Sequence, residues 1–162
     1  MDVRTISLKR SLPCVNITIK TIVDQRLPDV IAGFNADLFL QLNPPFPKVR
    51  LVRFDGCKTG DIVSLELNFL LFKQIWTSEI IEDQKNSQEF FFIDKGTHLP
   101  FFFKSWQHKH ILQVQDDKTV VIDDISYQTP SRLTDWFMYP LLYLQFLYRK
   151  PIYRKVFRLR VS

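Results

Sequence analysis

Two of the chain's three histidines lie two residues apart in the segment KSWQHKH, residues 104–110. Successive side chains of an extended strand point to opposite faces, so Trp106, His108 and His110 would project to the same side. Imidazole rings donate or accept hydrogen bonds, exchange protons near neutral pH and bind metals. Their place beside a tryptophan, on the face that an apolar interior would claim, indicates a polar site inside a core.

A carboxylate and a phenol follow on the next predicted strand. Asp123 and Tyr127 lie four residues apart in TVVIDDISY, so they share one face of an extended chain. A short DDK turn joins this strand to the preceding one, which predicts that the two strands pair antiparallel. Asp123 and Tyr127 would then lie beside the two strand histidines, and a carboxylate among apolar groups requires such partners. The residues predict a polar patch in a mostly apolar pocket, as in small-molecule sites.

Three other interpretations of the patch stay open, and the first is a buried His–Asp–Tyr network that only fixes strand register. The second is catalysis, in which His110, Asp123 and Tyr127 would exchange protons with a bound carbonyl compound. The third is a metal held by the two strand histidines, with Asp123 or His98 as a further ligand. We predict no metal, because His98 falls in a GTHLP turn that should be exposed.

Other kinds of site find no support in the sequence. The chain has neither a G-x-S-x-G elbow nor a P-loop or dinucleotide fingerprint, and it has only four glycines. We therefore expect no nucleotide or other cofactor. Cys14 and Cys57 do not form a CxxC pair, which favours two free thiols in a reducing, cytoplasmic setting. We expect neither a signal peptide nor a membrane-spanning helix.

The net charge of +5 is concentrated near the C-terminus. Residues 149–160 (RKPIYRKVFRLR) hold six basic residues and no acid, and the rest of the chain is almost neutral. We therefore expect no nucleic-acid partner, which would need a broader basic surface. The segment also carries apolar residues, namely Ile152, Tyr153, Val156 and Phe157. This amphipathic pattern predicts a weak contact with a membrane surface or an acidic partner.

The elements that would position the patch form an α+β pattern. Residues 15–23 alternate apolar and polar side chains and predict a first strand. Residues 27–34 predict a short helix, and Asn35 can cap a second one that the PPFP segment ends. From Val49 to Tyr127 the chain reads as strands joined by short turns, which predicts an antiparallel meander.

The last part of the chain reads as a long helix that begins near Ser131. Apolar residues recur there at three-to-four spacing, at Leu133, Phe137, Leu141, Leu144 and Tyr148. Pro140 should kink this helix and Pro151 should end or bend it. The chain contains 15 phenylalanines, more than a small compact core needs, which indicates a lined space. The length fits one domain spanning residues 1–162.

Several short motifs follow one another along the chain in a recognisable order. They are FDG…GD (54–61), Trp76 with Ile80, Phe92-x-Asp94, Leu99-Pro100-Phe101, Trp106-x-His108-x-His110, Asp123-x-x-x-Tyr127 and Phe146…Tyr148-Arg149. In this order they resemble the START-like (SRPBCC) superfamily over nearly the whole chain. They are most similar to an uncharacterised bacterial subgroup near polyketide cyclase-type and cell-division-inhibitor-like proteins.

The resemblance implies a helix-grip fold, in which a curved antiparallel sheet of about seven strands wraps a long C-terminal helix. It also implies an apolar cavity between them. We expect this cavity to bind a hydrophobic or amphipathic small molecule, with an acid–base enzyme similar to polyketide cyclases or aromatases as the alternative. The expected lining is Trp76, Phe92, Trp106, His108, His110, Asp123, Tyr127, Phe137 and Leu141.

Overall fold

The structure, a computed structural model that describes residues 14–159, contains one antiparallel sheet of seven strands. The strands are β1 (Val15–Val23), β2 (Lys48–Phe54), β3 (Ile62–Asn68), β4 (Lys73–Lys85), β5 (Glu89–His98), β6 (Ser105–Gln115) and β7 (Lys118–Gln128). The helices of this part of the chain are α1 (Leu27–Gly33), α2 (Ala36–Gln41), α3 (Arg132–Leu147) and α4 (Arg149–Val156).

The strand order is β1-β7-β6-β5-β4-β3-β2, so β2 to β7 form a meander and β1 closes it beside β7. The two short helices α1 and α2 carry the chain from β1 to the opposite edge at β2. The sheet curls around the C-terminal helices, which confirms the predicted helix-grip architecture. Short turns produce this order because they can join only antiparallel neighbours.

The register of the central strands places the polar residues side by side. His110 pairs with Asp123 and Trp106 pairs with Tyr127 across β6 and β7. On the other side of β6, Asp94 of β5 pairs with His108. The antiparallel pairing that the sequence predicted for β6 and β7 is confirmed, and all these side chains belong to the concave face.

Helix α3 begins where the sequence predicted. Ser131 is its N-cap, and its Oγ accepts a hydrogen bond from the Thr134 amide at 3.2 Å. The Thr134 hydroxyl in turn accepts from the Ser131 amide at 3.1 Å, which completes a reciprocal cap. Pro140 lies inside α3, while Pro151 lies near the start of α4. Pro151 has no amide to donate to the Leu147 carbonyl, so the helical ladder is interrupted where α3 ends.

The apolar side of α4 packs into the core. Tyr153 and Phe157 are 0% and 2% exposed, and both rings stack against Phe34. This side is therefore occupied by the core, while basic residues such as Arg154 and Lys155 are exposed on the surface. Across residues 14–159, no helix combines the length and apolarity needed to cross a bilayer.

Candidate functional site

A cavity of about 710 Å³ lies between the concave face of the sheet and α3. This volume falls in the range of small-molecule pockets, which is on the order of 300–1,000 Å³. Most of its wall is apolar and includes Val63, Leu67, Trp76, Trp106, Leu142 and Phe146. Polar side chains of the wall include Ser78, Asp94, His108, His110 and Arg149. A ligand in this space would meet apolar groups along its length and hydrogen-bonding groups at one place.

Asp123 is the centre of the polar residues and is almost completely buried, with 1% exposure. Its Oδ1 atom lies 3.0 Å from Nε2 of His108 and 3.4 Å from the Tyr153 hydroxyl, which donates to it. The same oxygen lies 3.7 Å from Nδ1 of His110 and 3.8 Å from Nη1 of Arg149. Asp123 of β7 therefore organises two imidazoles from β6 and a phenol and a guanidinium from α4.

The two histidines are neutral in this environment. Burial lowers the pKa of His108 well below its usual value, and the nearby Arg149 cation lowers it further. Burial likewise lowers the pKa of His110, with the neighbouring His108 and Arg149 adding to the effect against the attraction of Asp123. Burial raises the pKa of Asp123, which the Arg149 guanidinium opposes. A neutral His108 must carry its proton on Nε2 in order to donate to Asp123.

Three lining residues present polar atoms without a hydrogen-bond partner among the described residues. These atoms are Nδ1 of His110, Oδ1 of Asp94 and Nε of Arg149. Buried polar atoms are nearly always satisfied, because each unsatisfied one costs about 1–3 kcal/mol. The side chains of Asp94, Arg149 and His110 thus place an acceptor, a donor and an adaptable imidazole nitrogen in the wall of one cavity.

Among the described residues that line the cavity, Asp94 is the one that carries a carboxyl group. Trp76 Nε1 donates to the Ser78 hydroxyl at 3.0 Å, and that hydroxyl bonds the Asp94 side chain. Burial nevertheless raises the pKa of Asp94 to about 6, against the smaller opposing effects of Ser78 and Arg149. Asp94 therefore titrates close to neutral pH, where it can give or take a proton.

The raised pKa of Asp94 predicts a destabilisation that appears as the pH rises. The folded state binds the proton more tightly than the unfolded state, so this group lowers stability progressively between pH of about 4 and about 6. Asp94→Asn should therefore raise the free energy of unfolding by up to about 2–3 kcal/mol at neutral pH, and by much less at pH of about 4. Urea denaturation across this pH range measures both effects.

Asp117, on the exposed turn between β6 and β7, provides the matched control Asp117→Asn for the Asp94 experiment. If Asp94→Asn raised the free energy of unfolding equally at all pH values, or lowered it at neutral pH, Asp94 would not be a costly buried carboxyl group.

The predicted site residues fall into two groups in the structure. Lining positions are occupied by Trp76, Trp106, His108, His110 and Leu141. Asp123 lies directly behind the histidines, and Phe92 stacks on His110 with ring centroids 4.3 Å apart. Asp123 thus meets His108 and His110 on the face that strand parity predicted, although Asp123 and Phe92 do not themselves line the cavity.

Two predicted positions lie elsewhere. The Tyr127 hydroxyl donates to the Asp135 carbonyl oxygen at 3.2 Å, so it fixes the start of α3 and is not a partner of Asp123. Phe137 is 60% exposed and does not line the cavity, because α3 turns Leu142 and Phe146 inward. Tyr153 takes the place that the sequence analysis gave to Tyr127.

Three residues of the cluster were not in the predicted lining: Asp94, Arg149 and Tyr153. The parity of β5 contained the signal for Asp94, since it lies two residues after the inward-facing Phe92. The other two belong to the basic C-terminal run, in which no sequence signal separates an inward arginine from the exposed ones.

His108, His110 and Asp123 also bring their ligand-type atoms within 4.8 Å of one another. Arg149 lies 3.8 Å from the same Asp123 oxygen and would repel a divalent cation there. His98 is exposed, away from this group. We therefore assign the arrangement to hydrogen bonding.

Comparisons with protein-family models and with curated proteins find no match. Solved structures give clear likenesses of fold. Major latex-like protein 151 from Panax ginseng is 17% identical, with a TM-score of 0.62 over 91% of this chain and 99% of that one. The di-domain ARO/CYC StfQ from the steffimycin biosynthetic pathway is 9% identical, with a TM-score of 0.65 over 90% of this chain and 51% of that one.

A norcoclaurine synthase point mutant from Thalictrum flavum, in complex with a transition-state analogue, is 13% identical. Its TM-score is 0.56 over 81% of this chain and 86% of that one. These likenesses agree with the strand order and with the C-terminal helix that the sheet encloses. The chain therefore has the helix-grip fold that these solved structures share.

Proposed function

We propose that this protein binds an amphipathic small molecule in the cavity between the sheet and α3. The observation that carries the proposal is the set of unpartnered polar atoms on His110, Asp94 and Arg149 within a mostly apolar wall. Apolar surface buried along the ligand would supply most of the affinity, at about 25 cal/mol per Å². The polar atoms would fix which end of the ligand enters first.

The charges around these atoms favour an uncharged polar end. Arg149 would attract an anion, but the carboxyl groups of Asp94 and Asp123 on the other sides would repel it. A cation would be attracted by the two carboxyl groups but repelled by Arg149. A hydroxyl or carbonyl group avoids both penalties, and a hydroxyl can donate to Asp94 while it accepts from Arg149. Trp76, Trp106 and Leu141 would contact the apolar part of such a ligand.

His110→Phe tests the proposed role of the polar end. The substitution keeps a flat ring on Phe92 and leaves the His108–Asp123 bond in place, but it removes both ring nitrogens. Affinity for dodecan-1-ol should fall by the free energy of one buried hydrogen bond, about 1–3 kcal/mol, which is roughly five- to 160-fold. Affinity for dodecane should barely change. Displacement of the dye Nile red measures both.

The melting temperature of the same variant separates a ligand contact from a structural role. Equal losses for the alcohol and the alkane, together with a large fall in melting temperature, would mean that His110 serves the scaffold. His108→Phe is the matched comparison, because His108 makes the 3.0 Å bond to Asp123 and should affect stability in any case.

A second candidate function is acid–base catalysis, similar to that of polyketide cyclases and aromatases. The observation that favours it is the position of Asp94 in the cavity wall with its pKa raised to about 6, next to His108 across the strands. Asp94 would then remove a proton beside a bound carbonyl group. Exchange of the α-protons of 2-dodecanone in deuterium oxide that requires Asp94 would support catalysis; no acceleration by the wild-type protein would oppose it.

A further inference from the structure

We propose that the mouth of the cavity docks on an anionic lipid bilayer through an apolar rim formed by three loops. We define the rim as Phe46, Leu70, Leu71, Phe72 and Phe101. This inference goes beyond ligand binding and does not depend on which molecule the cavity holds. It concerns the end of the sheet opposite to α4, where the strands β2 and β4 begin and β3 and β5 end.

The rim is one continuous surface although its residues come from separate loops. The ring of Phe69 lies 6.0 Å from Phe46 and 4.9 Å from Phe72, and Phe72 lies 6.0 Å from Phe101, measured between ring centroids. Phe46, Phe72 and Phe101 also line the cavity, so the rim borders it. Between Phe69 and Phe72 the chain projects Leu70 and Leu71 at the tip of the β3–β4 turn.

These apolar side chains are unusually exposed. Leu71 is 95% exposed, Leu70 is 78% exposed and Phe101 is 70% exposed. Single exposed apolar residues are common on protein surfaces, but a contiguous patch beside a cavity opening marks an interaction site. Leu141 and Leu144 of α3 are further exposed apolar residues that line the cavity.

The backbone of the β3–β4 turn is strained at Leu70, in addition to the exposure of its apolar side chain. Leu70 has a φ of 73°, in the left-handed region, and its amide donates to Oδ1 of Asn68 at 2.9 Å. A side chain with a Cβ costs about 1–2 kcal/mol in this conformation, where glycine or asparagine is preferred. Leu70 is therefore strained as well as exposed, and Leu71 beside it is almost fully exposed, which favours a contact outside the folded chain.

The charges beside the rim indicate what that contact is. The three rim segments read PPFPK (44–48), FLLFK (69–73) and PFFFK (100–104), each ending in lysine and none containing an acid. Lys48, Lys73 and Lys104 are exposed at these positions, and Lys73 also bonds Glu66. Apolar side chains that project beyond lysines match a bilayer with anionic headgroups. Two copies of the rim facing each other would instead bring like charges together.

Docking in this orientation would place the cavity opening against the lipids. An amphipathic molecule could then pass between the bilayer and the cavity without exposing its apolar part to water, which the hydrophobic effect opposes. The contact differs from the basic C-terminal segment, whose apolar side is packed against the core.

The test is co-sedimentation with phosphatidylcholine vesicles that contain or lack phosphatidylserine. The wild-type protein should bind the phosphatidylserine vesicles and bind less as salt increases. The double substitution Leu70→Asn and Leu71→Ser should weaken this binding at least tenfold. It should leave the melting temperature equal or higher, because asparagine tolerates the left-handed conformation. Ile22→Thr, on an exposed apolar position of β1, is the matched control and should bind like wild type.

The other outcomes separate the alternatives. Wild-type protein that ignores phosphatidylserine vesicles, or a rim variant that binds them equally well, would overturn the proposal. If only the α4 variant Arg154→Gln with Lys155→Gln lost vesicle binding, the C-terminal segment would be the membrane contact, and the proposal would also be overturned. A dimer in solution that the rim variant abolishes, without vesicle binding, would assign the rim to a second copy. Nile red displacement by dodecan-1-ol in the rim variant reports separately on the cavity.

Discussion

Replacing Asp123 with leucine is expected to lower the free energy of unfolding by about 3–5 kcal/mol. The leucine has a similar size, but it takes away the carboxyl group that contacts His108, Tyr153 and Arg149. Arg149 would remain charged and mostly buried, with a side-chain exposure of 13%. An unpaired buried charge is costlier than the absence of both partners. Urea denaturation at neutral pH measures the loss.

The second arm of this prediction is the double substitution Asp123→Leu with Arg149→Met. Removing both charges together should restore part of the stability lost in Asp123→Leu, because no buried cation is left alone. The interaction energy from the full cycle should therefore be favourable by more than about 1 kcal/mol. A small loss for Asp123→Leu and strictly additive effects would show that the two groups are independent.

Removing the Phe157 side chain is expected to destabilise the fold by about 3–5 kcal/mol. The ring is 2% exposed, stacks on Phe34 and packs against Gly33 so closely that a Cβ at that glycine would collide with it. Ending the chain after Pro151 removes Tyr153 as well and should abolish cooperative folding. Thermal denaturation followed by circular dichroism measures both variants.

Arg154→Gln with Lys155→Gln is the control for the C-terminal segment. These side chains are exposed, so the free energy of unfolding should change by no more than about 0.5 kcal/mol, as for ordinary surface substitutions. If the truncated protein folded normally, or if Phe157→Ala matched this control, α4 would not belong to the core.

The fold and the centre of the site could be predicted because both follow from strand periodicity. Alternating residues fix which side chains share a face, and the short turn between β6 and β7 fixes the strand pairing. Together they bring Asp123 next to His110. A one-residue shift would turn every inward side chain of a strand outward, so the pattern leaves little freedom.

The helical contributions could not be predicted in the same way. The segment WFMYPLLYLQFL of α3 has apolar residues on all sides, so its sequence does not encode which side faces the sheet. This is why Phe137 was expected in the cavity, while Leu142 and Phe146 are the buried residues. Arg149 lies inside only because α4 follows α3 with a break near Pro151, a geometry that the basic run does not reveal.

The rim also shows what periodicity misses. Loop residues follow no repeat, and the PPFPK, FLLFK and PFFFK segments become one surface only when the sheet curls and brings three turns to the same end. Their similarity in sequence is visible beforehand, but their proximity is a consequence of the strand order.

A crystal structure of the protein with dodecan-1-ol bound tests the central claim most directly. We expect the alkyl chain along Trp76 and Trp106, and the hydroxyl oxygen within about 3 Å of His110 Nδ1, Asp94 Oδ1 or Arg149 Nε. The His108–Asp123 bond should be unchanged in the complex. A cavity without the alcohol, or an alcohol whose hydroxyl group lies at the rim beside Phe72 and Phe101, would contradict the assignment of these polar atoms to a ligand.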